Sequence, residues 1–226
     1  MSGGSPAGAR DDVAALASGG LDSAILVADL LRRGRVVHPI YVRFGLAWET
    51  TEEAHLRLFL ETLKSPAPAP LTVLNVPIAS VYGTHWSVSG DAVPDERSAD
   101  EAVYLPGRNL LLLAQPSVWC ALHGVHTIAL GTLKGNPFPD SSREFFDAFA
   151  ALVQRGIGHS LEVVTPFAGL TKADVLELGR GLALQHTFSC IDSQGGRHCG
   201  HCNKCAERRR AFSALQLDDL TEYEQP

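Results

Sequence analysis

The sequence predicts an α/β fold, a doubly wound parallel sheet followed by a small cysteine-rich segment. Three observations predict it. Short β-branched and apolar runs alternate with segments of helical periodicity along most of the chain. The first such run ends in Ser18-Gly19-Gly20 and passes directly into a helical pattern, the strand-turn-helix order of a crossover unit. Four of the five cysteines crowd together after the last of these units.

Residues 12–17 (DVAALA) read as the first strand, and residues 23–33 as a helix whose apolar positions recur at helical spacing until Gly34 closes it. Residues 36–44 (VVHPIYVRF) carry the β-branched and aromatic residues of a second strand. Thr50-Thr51-Glu52-Glu53 then offers a capping-box start for a helix running to about residue 64. After a proline-rich connector at 65–70, strands follow at 71–76, 127–130 and 161–164, with helical patterns at about 109–122, 142–153 and 171–178. Thr171 opens the last of these, with Asp174 three residues on. Pro116 falls inside the helix begun near Asn109, so a kink is expected there. The acidic stretch 83–103 reads as a loop and a lid. In such a sheet ligands bind beyond the carboxyl ends of the strands, which directs attention to the loops after Ala17, Phe44, Val76 and Leu130.

Composition narrows the function. Hydrophobic residues make up 45% and charged residues 19% of the 226, enough to bury a sizeable core. The formal charge of -6 argues against bulk nucleic-acid binding, so an anionic ligand must be held by local devices. No apolar run reaches the roughly 18 residues of a membrane helix, and the first twelve residues lack the apolar stretch of a secretory signal, so the chain reads as cytoplasmic. In that reducing compartment clustered cysteines point to metal rather than disulfides.

Four motifs carry chemistry. In Ser18-Gly19-Gly20-Leu21-Asp22-Ser23, small residues let backbone approach phosphate while the N–H groups opening the helix face it. Asp22 fits a phosphate cradle only if a cation or the loop backbone engages it, and the lysine of a Walker loop is missing. In Leu105-Pro106-Gly107-Arg108-Asn109, Asn109 can cap the following helix, and Arg108 sits at a helix start, where a cation is out of place unless an anion binds. The loop 131–143 puts Lys134, Asp140 and Arg143 at the ligand edge. Cys190, Cys199, Cys202 and Cys205, spaced C-x8-C-x2-C-x2-C, suit a closed tetrahedral zinc site; an iron–sulfur cluster and unmetallated core cysteines are the alternatives. Cys120 reads as a core residue, and Arg208-Arg209-Arg210 as a solvated helix face.

The Ser18–Ser23 turn, the Leu105-Pro106-Gly107-Arg108-Asn109 turn and the cysteine cluster, in this order and spacing, resemble the PP-loop ATP pyrophosphatases, and within them the 7-cyano-7-deazaguanine synthase family. The resemblance implies an adenine-nucleotide α-hydrolase-like ATP-binding domain over 11–187 and a zinc knuckle with a helix over 188–226. It implies that Mg2+-ATP is bound by Ser18, Gly19, Gly20, Leu21, Asp22 and Ser23. It further implies conversion of a carboxylated deazapurine and ammonia, through an acyl-adenylate and an amide, to a nitrile in queuosine biosynthesis. Asp22, Arg108 and Lys134 are the candidates for catalysis, and Trp48, Arg108, Asn109, Asp140 and Arg143 for substrate contact. Zn2+ is expected at the four cysteines, and a homodimer with no membrane association. Two loops depart from the family pattern: residues 43–49 (RFGLAWE) stand where Tyr-x-Gln-Arg-His is usual, and Ser141 where the family has Cys. Two other readings are a tRNA thiolase of the same superfamily and a nucleotide-binding module without catalysis.

Overall fold

A computed structural model describes residues 11–193 and 195–224. Residues 1–10, most of the stretch read above as lacking a secretory signal, lie outside the described residues. The five expected strands form as β1 (Asp12–Leu16), β2 (Val36–Arg43), β3 (Thr72–Asn75), β4 (Thr127–Ala129) and β5 (Glu162–Val164). They make one sheet in the order β3-β2-β1-β4-β5, every pair parallel. The helices are α1 (Leu21–Arg32), α2 (Glu49–Thr62), the single turns α3 (Ala79–Tyr82) and α4 (Trp86–Ser89), α5 (Arg108–His123), α6 (Arg143–Ile157), α7 (Lys172–Leu178) and α8 (Asn203–Ala214). Among the described residues no helix is long and apolar enough to cross a membrane.

Alternation along β1 explains the layering. Val13 and Ala15 pack with α1, α2 and α7, whereas Ala14 and Leu16 face the opposite cluster with α5 and α6, so both sheet faces are covered. The four knuckle cysteines belong to that second cluster, continuous with the sheet core. Winding reverses between β1 and β4, and the crevice at that reversal is where ligands enter such sheets. There Gly131, just beyond β4, approaches α1 so closely that a Cβ would stand 3.2 Å from the Asp22 carbonyl.

Several local expectations are corrected. Helix α2 starts at Glu49, not through a Thr50 capping box: the Glu49 carboxylate takes the N–H groups of Phe44 (2.5 Å) and Gly45 (2.9 Å), while Glu53 pairs with Arg43 and Arg57. Helix α5 includes Pro116 within its Arg108–His123 span, where a kink is expected, and the Ser117 hydroxyl donates to the Leu113 carbonyl. The stretch 83–103 is no free loop. It contains α4 and a 3-10 turn at Asp100–Val103, and it is tied to the cysteine segment by Glu96 N–H to the His201 carbonyl and Asn203 N–H to the Pro94 carbonyl.

Arg208 overturns the reading of a solvated arginine run. It is 1% exposed, donates to the Thr187 and Thr221 hydroxyls and the Leu184 carbonyl, and lies over the Phe212 ring. A guanidinium enters a core only when its donors are satisfied, and here they clamp the loop after α7 and the tail after α8 together. The capping box expected at Thr171 with Asp174 does form, Ser142 caps α6 by accepting the Phe145 N–H, and Cys120 is a fully buried core residue.

Candidate active site

The turn from β1 into α1 is organised by its own hydroxyls. Ser23 Oγ accepts from Ser18 N–H (3.2 Å) and donates to the Gly20 carbonyl (3.1 Å), and Ser18 Oγ lies 3.2 Å from it. Gly20 is the N-cap, and no side chain caps α1, so its first-turn N–H groups are left to a ligand. Gly19 is required for another reason than phosphate approach. Its φ is +85°, and a Cβ would stand 2.9 Å from the Glu52 carbonyl, so it fits the turn against α2.

The cation that Asp22 needs is Lys172. Its Nζ sits 2.7 and 2.9 Å from the two Asp22 carboxylate oxygens and 2.9 Å from Glu207 on α8. Burial alone would lower the Lys172 pKa, but the Asp22 and Glu207 carboxylates outweigh it and raise the value, so the ammonium stays charged. Glu207, which burial would raise, is held down to about 2 by Lys172 and Lys204. Lys134, expected to act in catalysis, is exposed and lines neither lobe of the cleft.

Two contiguous lobes, of about 280 and 320 Å³, open beyond the strand ends and share a wall that includes Ser18, Gly20, Asp22, Glu52 and Arg108. Arg108 opens α5 and its Nε is buried without a hydrogen-bond partner, an unspent donor on a residue that lines both lobes. Asn109 and Asp140 also line the first lobe but engage each other. Asp140 Oδ2 accepts Asn109 N–H (3.0 Å), and the Asn109 amide donates to the Asp140 carbonyl (3.0 Å), pinning the loop after β4 to the start of α5. The N-cap of α5 is therefore Gly107, not Asn109, and Asp140 satisfies one N–H of its first turn. Arg143 is turned away, paired with Asp147 and donating to the Val163 carbonyl, and is not brought to the cleft. Trp48 lines the second lobe, 7% exposed and stacked on Trp86 at 5.7 Å.

Glu52 lines both lobes. It accepts the Tyr41 hydroxyl (2.8 Å), and its surroundings raise its carboxyl to about 7, chiefly through burial, opposed by that hydrogen bond and by Arg108. Below the cleft, the sulfurs of Cys190, Cys199, Cys202 and Cys205 all lie within 4.8 Å of one another, with Cys199–Cys205 at 4.0 Å and Cys190–Cys202 at 3.9 Å. A tetrahedron with metal–sulfur bonds near 2.3 Å has edges of about 3.8 Å, so the arrangement fits one metal ion. Backbone N–H groups of Asp192, Cys199, Cys202 and Cys205 point at these sulfurs.

The description "Queuosine biosynthesis protein QueC" matches residues 12–216. This chain belongs to the QueC family. A QueC relative from Methanothermobacter thermautotrophicus, named 7-cyano-7-deazaguanine synthase, is 31% identical over 220 residues, covering 91% of this chain and 96% of its own. One of the same name from Solidesulfovibrio magneticus is 30% identical over 225 residues, covering 92% and 94%. Among solved structures, a 4-thiouridine synthetase–RNA complex with bound ATP superposes with a TM-score of 0.52 at 16% identity, over 91% of this chain and 51% of that one, a likeness of fold. Within the QueC fold of this chain, three cleft residues escape the reading of the sequence: Lys172, Glu207 and Glu52. Lys172 did carry a signal, the one that marks Arg108: a cation in the first turn of a helix, where the dipole disfavours it. Glu52, one of three glutamates in a five-residue run, and Glu207, beside three arginines, carry none.

Proposed function

We propose that this chain converts 7-carboxy-7-deazaguanine, or a close carboxylated relative, with ammonia and ATP into the 7-cyano product of queuosine biosynthesis. The observation that carries the reading is the shared wall of the cleft: the Ser18–Ser23 turn and Arg108 stand on it, and Lys172 borders the second lobe. A substrate carboxylate oxygen attacks the α-phosphorus and pyrophosphate leaves. Ammonia then displaces AMP to give the amide, and a second adenylation, on the amide oxygen, ends with loss of AMP and two protons to leave the nitrile. The open N–H groups of α1 and the Ser18 hydroxyl hold phosphate oxygens, the Ser23 hydroxyl shapes the turn, Arg108 stabilises charge developing on the phosphates, and Lys172 acts by fixing Asp22. Asp22 holds Lys172. Magnesium would arrive with the nucleotide, held mainly by phosphate oxygens.

Zinc is our assignment for the four cysteines, in a structural role, since four thiolates leave no open coordination position. Five free cysteines, none in a disulfide, support a cytoplasmic setting. Leu110, Val118 and Leu122 are exposed on α5, which supports the homodimer that the family resemblance implies. The thiolase reading loses its nucleophile, because Cys120 is fully buried and burial pushes its thiol up to about 12.

The test is incubation of the chain with ATP, magnesium, ammonium and the deazaguanine acid, read by mass spectrometry. The nitrile, AMP and pyrophosphate are expected. AMP release driven by another acid, with neither amide nor nitrile from this one, overturns the substrate; no AMP release with any acid overturns the activity.

A further inference from the structure

The cleft holds acids and cations, and most of them cancel. Asp22 and Glu207 are both on Lys172, Lys204 is on Glu207, and Asp140 accepts the Asn109 N–H. Two charged groups on the shared wall remain unpaired. The Arg108 side chain makes no hydrogen bond among the described residues, and its Nε is buried. Glu52 accepts the Tyr41 hydroxyl, yet no lysine, arginine or histidine nitrogen lies within 4.0 Å of it among the described residues. Arg108 and Glu52 feel each other's charge but form no direct ion pair, so each keeps the capacity to contact a ligand of opposite charge.

Under the reading given above, on which this inference rests, the reaction consumes an anion, the acid with its nucleotide, and a cation, ammonium. Arg108 meets the first. We infer that Glu52 binds ammonium and removes the proton that makes it a nucleophile. The surroundings suit a small cation: Trp48, Trp86 and Phe188 line the lobe that Glu52 borders, and aromatic faces attract ammonium. Charged and titratable groups facing Glu52 are Tyr41 from β2, Arg108 from α5 and Glu49 from its own helix, with Asp22, Lys172, Lys204, Glu207 and Arg208 on the same lobe. A carboxyl raised to about 7 is matched to proton transfer near neutrality.

The step balances. An N–H bond of ammonium breaks and its proton goes to a Glu52 carboxylate oxygen. The freed lone pair attacks the acyl carbon of the adenylate, the acyl C–O bond breaks, and AMP leaves with the electron pair. The nitrogen loses its second proton to solvent, and Glu52 returns its own to solvent before the next turnover.

Glu52→Gln keeps size and an acceptor for Tyr41 while removing charge and base. Wild type and variant are compared with ammonium and with hydroxylamine, which is neutral near pH 7.5 and needs no base. The variant is expected to raise the KM for ammonium about tenfold or more, while hydroxamate formation stays within about twofold of wild type. Tyr41→Phe, which frees the carboxylate but leaves it in place, is expected to have a smaller effect of the same kind. Equal losses with both nucleophiles, or no loss with either, overturn the inference. So does a wild-type chain that makes hydroxamate but no amide from ammonium, an outcome that leaves adenylation standing; no AMP release with either nucleophile overturns both readings.

Discussion

Lys172 and Asp22, 150 residues apart in the chain, meet in a forked contact in which one ammonium touches both carboxylate oxygens, at 2.7 and 2.9 Å. The same ammonium reaches Glu207 on the helix that begins at the cysteine knuckle. The aspartate of the turn between β1 and α1 is thus oriented by a residue beyond the last strand, and the turn is complete only once the C-terminal third of the fold has closed over it.

Removal of that cation should cripple adenylation before it harms the fold. Lys172→Met is expected to lower pyrophosphate release by about 10²–10³-fold, with the metal content of the four-cysteine site unchanged. Both partners are about a quarter exposed, so the stability loss should be no more than about 1–2 kcal/mol. Urea denaturation beside a pyrophosphate assay separates the two effects. Lys134→Met, by contrast, should leave both close to wild type.

The two glycines of the turn should differ. At Gly19 a side chain meets the Glu52 carbonyl and a positive φ, so Gly19→Ala is expected to cost about 1–3 kcal/mol and most ATP cleavage. At Gly20 the nearest atom to a new Cβ would be 3.6 Å away, an ordinary contact, so Gly20→Ala should fold normally. Equal thermal shifts for the two variants would contradict this account.

Metal should be found at the cysteines and should support the fold. Cys202→Ser is expected to lose it and about 4 kcal/mol or more of stability, a fall in Tm of roughly 10 °C for a chain of this size. Elemental analysis and a thermal melt of the purified protein are the measurements.

Glu52 should leave a mark on stability against pH. Its folded pKa is raised to about 7 from the ordinary glutamate value, so the folded state holds the proton more tightly and stability falls as pH rises between about 4.5 and 7. His198, buried and pushed down to about 3, contributes the opposite slope over part of that range. The comparison is therefore between wild type and Glu52→Gln at pH 5 and pH 7.5. The variant should gain relative stability at the higher pH. Glu53, Glu177 and Glu207, held below their usual range, act only as pH drops under about 4.5.

What was legible in the chain was what repeats or clusters. Five strands and the main helices follow from alternation and apolar spacing, and the Cys190–Cys205 spacing places four sulfurs on one centre. What was not legible depends on distance along the chain. No local pattern joins Lys172 to Asp22, and Lys134, nearer to a strand end, was the natural choice. Arg208 sits in a run of three arginines, and only the three-dimensional path of residues 184–189 and 219–221 gives its guanidinium enough acceptors to be buried. Trp48 has the type of a base-stacking residue, yet its neighbour Trp86 comes from a stretch whose sequence reads as loop.

The central place of β1 bears on how such a scaffold diverges. The loops after β2 and β4 leave the sheet on opposite sides of the strand that carries the Ser18–Ser23 turn, one fastened by Glu49 to the backbone at Phe44 and Gly45, the other by Asp140 to Asn109. Apart from Gly131, which packs against the Asp22 carbonyl, each is anchored through contacts outside the turn itself. Mutations in either loop can therefore accumulate and be selected for a new acid without first breaking the capacity to activate it, so drift in substrate choice can outpace drift in chemistry along a lineage.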